Sequence, residues 1–276
     1  MICWMFPGQP ITFVDSLCND PEFLEIAQLC REITGFNPLD PSVSELNESV
    51  RLQLFGTCIS LFNIKRLTVQ GSMPDVVAEH SMGIYAALVA AGSIDCETAL
   101  ALTCRIGTAM AQMGLRREYA LGCVIGLPFG SLKAIAADNG VYIANHNTSR
   151  HFLLAGERVQ VEAASAEATA AGAFSVRVFP CDAPLHTPLI EELGGVLQTI
   201  VADFSYLEPR IPLIEHIGQS ALTDATIPSF LVDELSRPVY WETTYRALRS
   251  RGVTRFQEVG VGLALSKFNR WIDSES

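Results

Sequence analysis

No apolar stretch of this chain reaches the roughly 18 residues that a membrane-crossing helix needs, although 49% of its 276 residues are hydrophobic. Positive charge is scarce. There are 19 Lys and Arg against 30 Asp and Glu, a formal net charge of −11, which makes a poor general binder of nucleic acid. Lys65-Arg66 and Arg116-Arg117 are candidates for a local basic patch, and each reads first as a solvated face. No two of the eight cysteines form a CxxC pair, so neither a zinc site nor a disulfide framework is expected. Cys3, Cys18, Cys30, Cys58, Cys96, Cys104, Cys123 and Cys181 read as small, reduced core residues of a cytoplasmic protein. No basic segment precedes an apolar one at the N-terminus, so no signal peptide is expected. Repeats and low-complexity linkers are also missing. What remains is a chain with enough apolar material for one large α/β domain, with or without an insertion.

The most informative stretch is Val77-Ala-Glu-His-Ser-Met-Gly-Ile-Tyr85. An apolar run, 73–78, reads as a short buried strand. It breaks at Glu79-His80-Ser81-Met82-Gly83 and continues as an Ala-rich helix over 82–91, ending at Gly92. A serine on a tight strand-to-helix turn is held exposed and strained, with the first N–H groups of the helix facing any oxyanion formed there. Such an elbow has small residues two before and two after the serine. Gly83 satisfies the second position and Glu79 violates the first. The bland alternative is a serine in an ordinary βα loop.

Around this elbow the pattern predicts a first strand over 2–6, stopped by Pro7-Gly8. Helices are expected over 21–33, 49–70 and from Asp95 to about Met113. Residues 119–127 read as a strand, 129–138 as a helix, 140–145 and 151–156 as two strands, 158–172 as a helix and 174–179 as a last strand. That is β-α-β-β-α-β, the ferredoxin-like order. The chain then continues with a helix over 187–203, a strand near 211–215, helices near 228–236 and 241–251, and a strand near 255–259. The expected architecture is α/β: a hydrolase-like large subdomain with a mostly parallel sheet, over 1–116 and 182–276, and an inserted ferredoxin-like small subdomain over 117–181.

Several short motifs occur in order: Cys3-Trp-Met-Phe-Pro-Gly-Gln-Pro10, the serine elbow, Cys104-Arg-Ile-Gly-Thr-Ala-Met110, Ala183-Pro-Leu-His-Thr-Pro-Leu189, Arg237-Pro-Val-Tyr-Trp241 and Glu258-Val-Gly-Val-Gly262. Together this ordered set resembles the malonyl-CoA:acyl-carrier-protein transacylase family, which includes the acyltransferase domains of polyketide synthases. The resemblance covers nearly the whole chain. It implies a stand-alone acyltransferase that moves malonyl, or a related dicarboxylic acyl group, from CoA to the phosphopantetheine thiol of an acyl-carrier protein. The expected partners are that carrier and a CoA thioester, with no resident cofactor, no metal, no nucleic acid and no membrane, in a monomer acting in trans. An acyl-carrier thioester hydrolase of the same fold, or a non-catalytic carrier-binding subunit, is the alternative.

Ser81 is the candidate nucleophile and needs a base within reach. Five histidines are available: His80, His146, His151, His186 and His216. His80 points away from Ser81 on a tight turn, His146 and His151 fall in the small subdomain, and His216 lies beyond a strand end. A lone loop histidine such as His186 is more often a surface residue, but the resemblance assigns the base to it. The resemblance also implies that a backbone carbonyl, here that of Glu234, orients this histidine. It gives the oxyanion hole to the N–H groups of Gln9 and Met82, and pocket-lining roles to Gln53, His80 and Leu185. Arg105 lies in an otherwise apolar helical stretch and needs a carboxylate partner or a route to solvent. The bland outcome is an internal ion pair, and the family outcome is a bidentate clamp on the malonyl carboxylate. The departures from the family pattern are Glu79 at the elbow glycine, Pro10 after Gln9, Ile84 where Glu is favoured, Leu185 where malonyl-specific members commonly have Phe, and no Pro in 258–262. Glu79 is expected to crowd the turn, pair with Arg105, or point to solvent, without entering the chemistry.

Overall fold

The computed structural model describes residues 1–9, 12–13 and 20–275; Pro10 and Cys18 lie outside them. Four parallel strands form the first sheet: β1 (Ile2–Phe6), β2 (Val76–Glu79), β7 (Leu213–Ile214) and β8 (Arg255–Glu258), in the order β7-β2-β1-β8. Parallel strands covered on both faces read as unbroken apolar runs, and Cys3 to Phe6 are all buried. Their side chains alternate between two cores. Trp4 and Phe6 join the larger one, with Leu54, Phe62, Ile84, Leu88 and Leu102. Cys3 and Met5 join the smaller one, with Trp241, Tyr245, Leu248 and Ile272.

The larger core is built by α1 (Pro21–Thr34), α2 (Glu48–Val69), α3 (Ile84–Ala91) and α4 (Cys96–Gly114). Local chemistry fixes their ends. The side chains of Asp20, Asn47 and Asp95 accept from the first-turn amides of Glu22, Ser49 and Thr98. Gly35 and Gly92 close α1 and α3 in the left-handed region.

The second sheet is antiparallel, in the order β4-β5-β3-β6, from β3 (Tyr119–Ile125), β4 (Tyr142–Thr148), β5 (His151–Glu157) and β6 (Ser175–Cys181). Helices α5 (Phe129–Asp138) and α6 (Arg158–Ala170) cover it. It has its own core of Val124, Leu132, Phe152, Leu154, Val161 and Ala164. Strand order and connection order together are those of a ferredoxin-like unit. The small sheet is tied to the large unit at the segment before Trp241, where the Val239 amide donates to Ala144 O (2.9 Å) and the His146 amide to Val239 O (2.8 Å).

The remaining helices differ from the sequence expectation in two places. The helix expected over 187–203 divides into a 3-10 turn at Pro188–Leu193 and α7 (Gly194–Ala202), which begins at the Gly194-Gly195 pair. After α8 (Ile227–Asp233) and α9 (Trp241–Ser250), a helix α10 (Ala264–Ser274) follows β8 and was not anticipated. Its Leu265 and Ile272 pack into the smaller core and Phe268 against it. Among the described residues no helix is long and apolar enough to cross a membrane.

Candidate active site

Strand β2 ends at Glu79, and the chain turns through a 3-10 segment, Ser81–Gly83, into α3. Ser81 has φ +58°, in the left-handed region that non-glycine residues seldom occupy. Gly83 makes this turn possible: a Cβ there would lie 2.2 Å from Phe6 O and 2.9 Å from Pro7 O. The elbow therefore sits hard against the end of β1, which brings the Pro7-Gly8-Gln9 loop alongside Ser81.

His186 arrives from the loop after β6, also at positive φ (+59°) and 3% exposed. Its Nε2 is 2.6 Å from Ser81 Oγ. Its Nδ1 lies 3.0 Å from Glu234 O and 3.2 Å from Arg237 O. Two carbonyls can only accept, so Nδ1 carries the proton and Nε2 presents its lone pair to the Ser81 hydroxyl. The chain from α8 presents both carbonyls by passing through a tight 3-10 turn, Glu234–Ser236, whose Glu234 carbonyl also accepts from the Arg237 amide at 3.4 Å. Burial, and then the neighbouring His216, push the His186 imidazole down to about 3. It is a neutral base throughout the neutral range.

A narrow cleft in front of Ser81 is lined by Gln9, Gln53, Met82, Tyr85, Met110, Leu185 and Leu235. Its free volume, about 20 Å³, is room for roughly one water. Met82, which lines the cleft, is an early residue of the helical turn, where backbone N–H groups lack intrahelical acceptors. Gln53 is held by Ser49 (3.4 Å) and faces Gly107 of α4, where a Cβ would meet its Oε1 at 3.3 Å.

The structure thus brings Ser81, His186, Gln9, Met82, Gln53, Leu185 and the Glu234 carbonyl together. Two expected residues fall elsewhere. His80 is buried, but its Nε2 bonds Asn147 Oδ1 of the small sheet at 2.9 Å, so it ties the elbow to the small sheet and is not among the residues that line the cleft. Arg105 does not line it either. It is half exposed, bonds Asp203 at 2.6 Å and packs over the Phe204 ring. The face of α4 turned inward carries Ile106 and Met110 instead, one helical turn apart. Arg105 therefore takes the ion-pair outcome, with Asp203 as its partner and not Glu79.

Glu79 takes none of its three expected outcomes. It is fully buried and bonds His216, which is also fully buried. Nδ1 of His216 lies 2.7 and 2.9 Å from the two carboxyl oxygens, and the His216 amide donates to Oε1 at 3.0 Å. The sequence held only part of the signal for this pair, because the strand pairing behind it is long-range. Strands β2 and β7 are neighbours, with Ala78 opposite Ile214, and each apolar run ends in polar residues, Glu79 and Glu215-His216. The Glu234 side chain is buried too, with neither oxygen bonded. Burial, and then Glu79, push its carboxyl well above the carboxylate range.

Among the described residues, one group of side chains has metal-ligating character. Ligand atoms of His186, His216 and Glu234 lie within 4.8 Å of one another. An ion there would draw His186 away from Ser81 or from its carbonyls, so this donor set competes with the Ser81–His186 pair and adds nothing to it.

Comparison with known proteins identifies the family and the fold. Residues 11–261 match the family model described as an acyl transferase domain. A curated relative, the malonyl CoA-acyl carrier protein transacylase of Salmonella typhimurium, is 30% identical over 98% of this chain and 92% of its own length. Among solved structures, the malonyl CoA-acyl carrier protein transacylase of Coxiella burnetii superposes with a TM-score of 0.91 at 26% identity, covering 100% of this chain and 92% of that one. The acyl carrier protein S-malonyltransferase of Vibrio cholerae gives 0.89 at 27% identity, covering 99% and 94%. The chain belongs to the acyl transferase domain family.

Proposed function

We propose that the protein moves an acyl group from a CoA thioester to the phosphopantetheine thiol of an acyl-carrier protein through an acyl-enzyme on Ser81. The observation that carries this reading is the 2.6 Å bond between Ser81 Oγ and His186 Nε2 on a left-handed elbow. His186 takes the hydroxyl proton as Oγ attacks the thioester carbonyl carbon. The N–H groups of Gln9 and Met82 hold the resulting oxyanion, each donor contributing roughly 3 kcal/mol to the lowered barrier. The tetrahedral adduct collapses, and the CoA sulfur leaves with the proton that His186 returns. The carrier thiol then gives its proton to His186 and attacks the acyl-serine. Ser81 departs and recovers its proton. Malonyl is the acyl group of the named relatives, and on that likeness it is the group assigned here.

A second reading changes the acyl group alone, to a short acyl chain without a carboxylate. It is favoured by the side chains of the cleft wall, none of which is cationic among the described residues, and by the engagement of Arg105 with Asp203. Intact mass after incubation with malonyl-CoA and with acetyl-CoA separates the two. A malonyl adduct removed by a holo-carrier supports the first, and an acetyl adduct alone supports the second. Release of CoA at the same rate with and without the carrier would make the protein a hydrolase. No adduct with either thioester would leave it a non-catalytic member.

A further inference from the structure

Behind Ser81, on the side away from the cleft, lies a group of buried titratable side chains that the acyl-transfer steps do not use. Glu79 directly precedes His80-Ser81 in the chain. Its carboxyl receives the amide and Nδ1 of His216, and the Ser81 amide also favours its charged form. It therefore joins the nucleophile turn to the loop after β7. That loop is itself tightly held: the Glu215 carboxylate accepts from the amides of Ile217, Gly218 and Ser220 at 2.6 to 3.0 Å. The His216 ring stands edge-to-face against the His186 ring, with centroids 5.9 Å apart at 86°, and Phe230 packs edge-on with the same ring at 5.7 Å.

We propose that Glu79 and His216 form a positioning dyad: the carboxyl fixes the His216 imidazole as the wall against which His186 rests, and fixes the elbow to that wall. Neither residue touches the reacting atoms. Burial pushes the Glu79 carboxyl up and the His216 imidazole, to about 4, down. Both shifts disfavour isolated charges, and one shared proton between Nδ1 and the carboxyl satisfies the pair. The geometry has a clear purpose for the reaction. His186 and Ser81 both occupy left-handed backbone conformations, which persist only where surrounding contacts over-determine them. Misplacement of such a pair by about 1 Å can cost on the order of a hundredfold in rate.

The inference rests on Ser81 being the nucleophile, so its test uses a fluorophosphonate, which reports serine reactivity whatever the acyl group is. Glu79→Ala removes the clamp and is expected to slow labelling of Ser81 at least about tenfold. Glu79→Gln keeps an acceptor for the His216 amide and a donor for Nδ1, and is expected to label within about threefold of the parent. A residue that served stability alone would lower the melting temperature in Glu79→Ala and leave the labelling rate unchanged. Should Glu79→Ala not fold, His216→Asn decides. It keeps a polar partner for Glu79, loses the ring beside His186, and is expected to label at least about fivefold more slowly. Labelling of both Glu79→Ala and His216→Asn at the parent rate overturns the dyad, as does a Glu79→Gln protein as slow as Glu79→Ala. A parent protein that is never labelled at Ser81 overturns the nucleophile assignment and the dyad with it, a result distinct from a labelled parent with indifferent variants.

Discussion

The two sides of Ser81 are built on opposite principles. In front, Met82, Tyr85, Met110, Leu185 and Leu235 make a mostly apolar wall. Behind, Glu79, His216 and Glu234 are buried within a sheet end and a turn. An apolar wall tolerates exchange, since a methylene gained or lost is worth about 1 kcal/mol. A buried polar group is different. Removing its partner leaves an unsatisfied donor or acceptor at about 1–3 kcal/mol, more when the group is charged. The front is where an acyltransferase can change its acyl group, and the rear is where it keeps its nucleophile and base in register.

The largest effect expected is at the junction of the two sides. Ser81→Ala should abolish the acyl adduct in an intact-mass measurement while the melting temperature stays close to the parent's. An adduct that survives on another residue would remove the front-and-rear description, because the elbow would no longer be the reacting point. His186→Ala should lower the acylation rate at least about 100-fold, the low end for acid–base catalysis. His80→Ala should cost far less, since His80 is engaged with Asn147. A reversed order would place the base on the small-sheet side.

The rear should also be visible in the pH profile. A histidine at its ordinary 6.5 would be protonated at pH 5, and the rate would fall about 30-fold between pH 8 and 5. His186 is held down to about 3 by burial, so the fluorophosphonate rate should change less than about twofold over that range. Stability behaves differently. All five histidines are depressed, to about 3 or 4. The unfolded chain therefore binds more protons below 6.5, and stability is lost as the pH falls from there through the folded values. The raised carboxyls of Glu79 and Glu234 act in the opposite direction, favouring the fold at low pH and losing that contribution as the pH rises. A melting curve at each pH separates loss of fold from titration of the base.

Much of the front was legible in the sequence, and less of the rear. Gly83 two residues after Ser81 is a local signal of the tight turn it occupies, whereas His186 was singled out by the family resemblance, a loop histidine being by itself more often a surface residue. The element order of the small sheet was likewise readable from alternating strands and intervening helices. The His216 partnership depends on β2 and β7 being neighbours, a long-range fact that periodicity does not carry. Arg105 illustrates the converse. Its motif neighbours suggested an inward guanidinium, but a helix turns 100° per residue. Ile106, the next residue, takes the buried face, and Arg105 meets Asp203 from α7's C-terminal end. α10 was missed although Leu265, Phe268 and Ile272 have helical spacing, because the sequence expectation stops at the strand near 255–259.

The smallest effect expected is also the one that best sharpens the description of the front. Arg105 and Asp203 have side chains about half exposed, at 41% and 54%, and such surface pairs contribute roughly 0–1 kcal/mol. Arg105→Ala should therefore move the melting temperature little. If the guanidinium stays with Asp203 during turnover, the malonyl and acetyl rates should both stay within about twofold of the parent, and the ratio of their kcat/KM values should not move. A malonyl carboxylate would then be met by the mostly apolar wall alone. The opposite result has an equally definite meaning. A selective fall in malonyl transfer, with acetyl transfer kept, requires the guanidinium to leave Asp203 and reach the bound acyl group, where a charge-assisted bidentate pair would form. Asp203→Asn would distinguish the two situations: it should raise malonyl transfer if Asp203 competes for Arg105, and leave it unchanged if the pair is only a surface bridge.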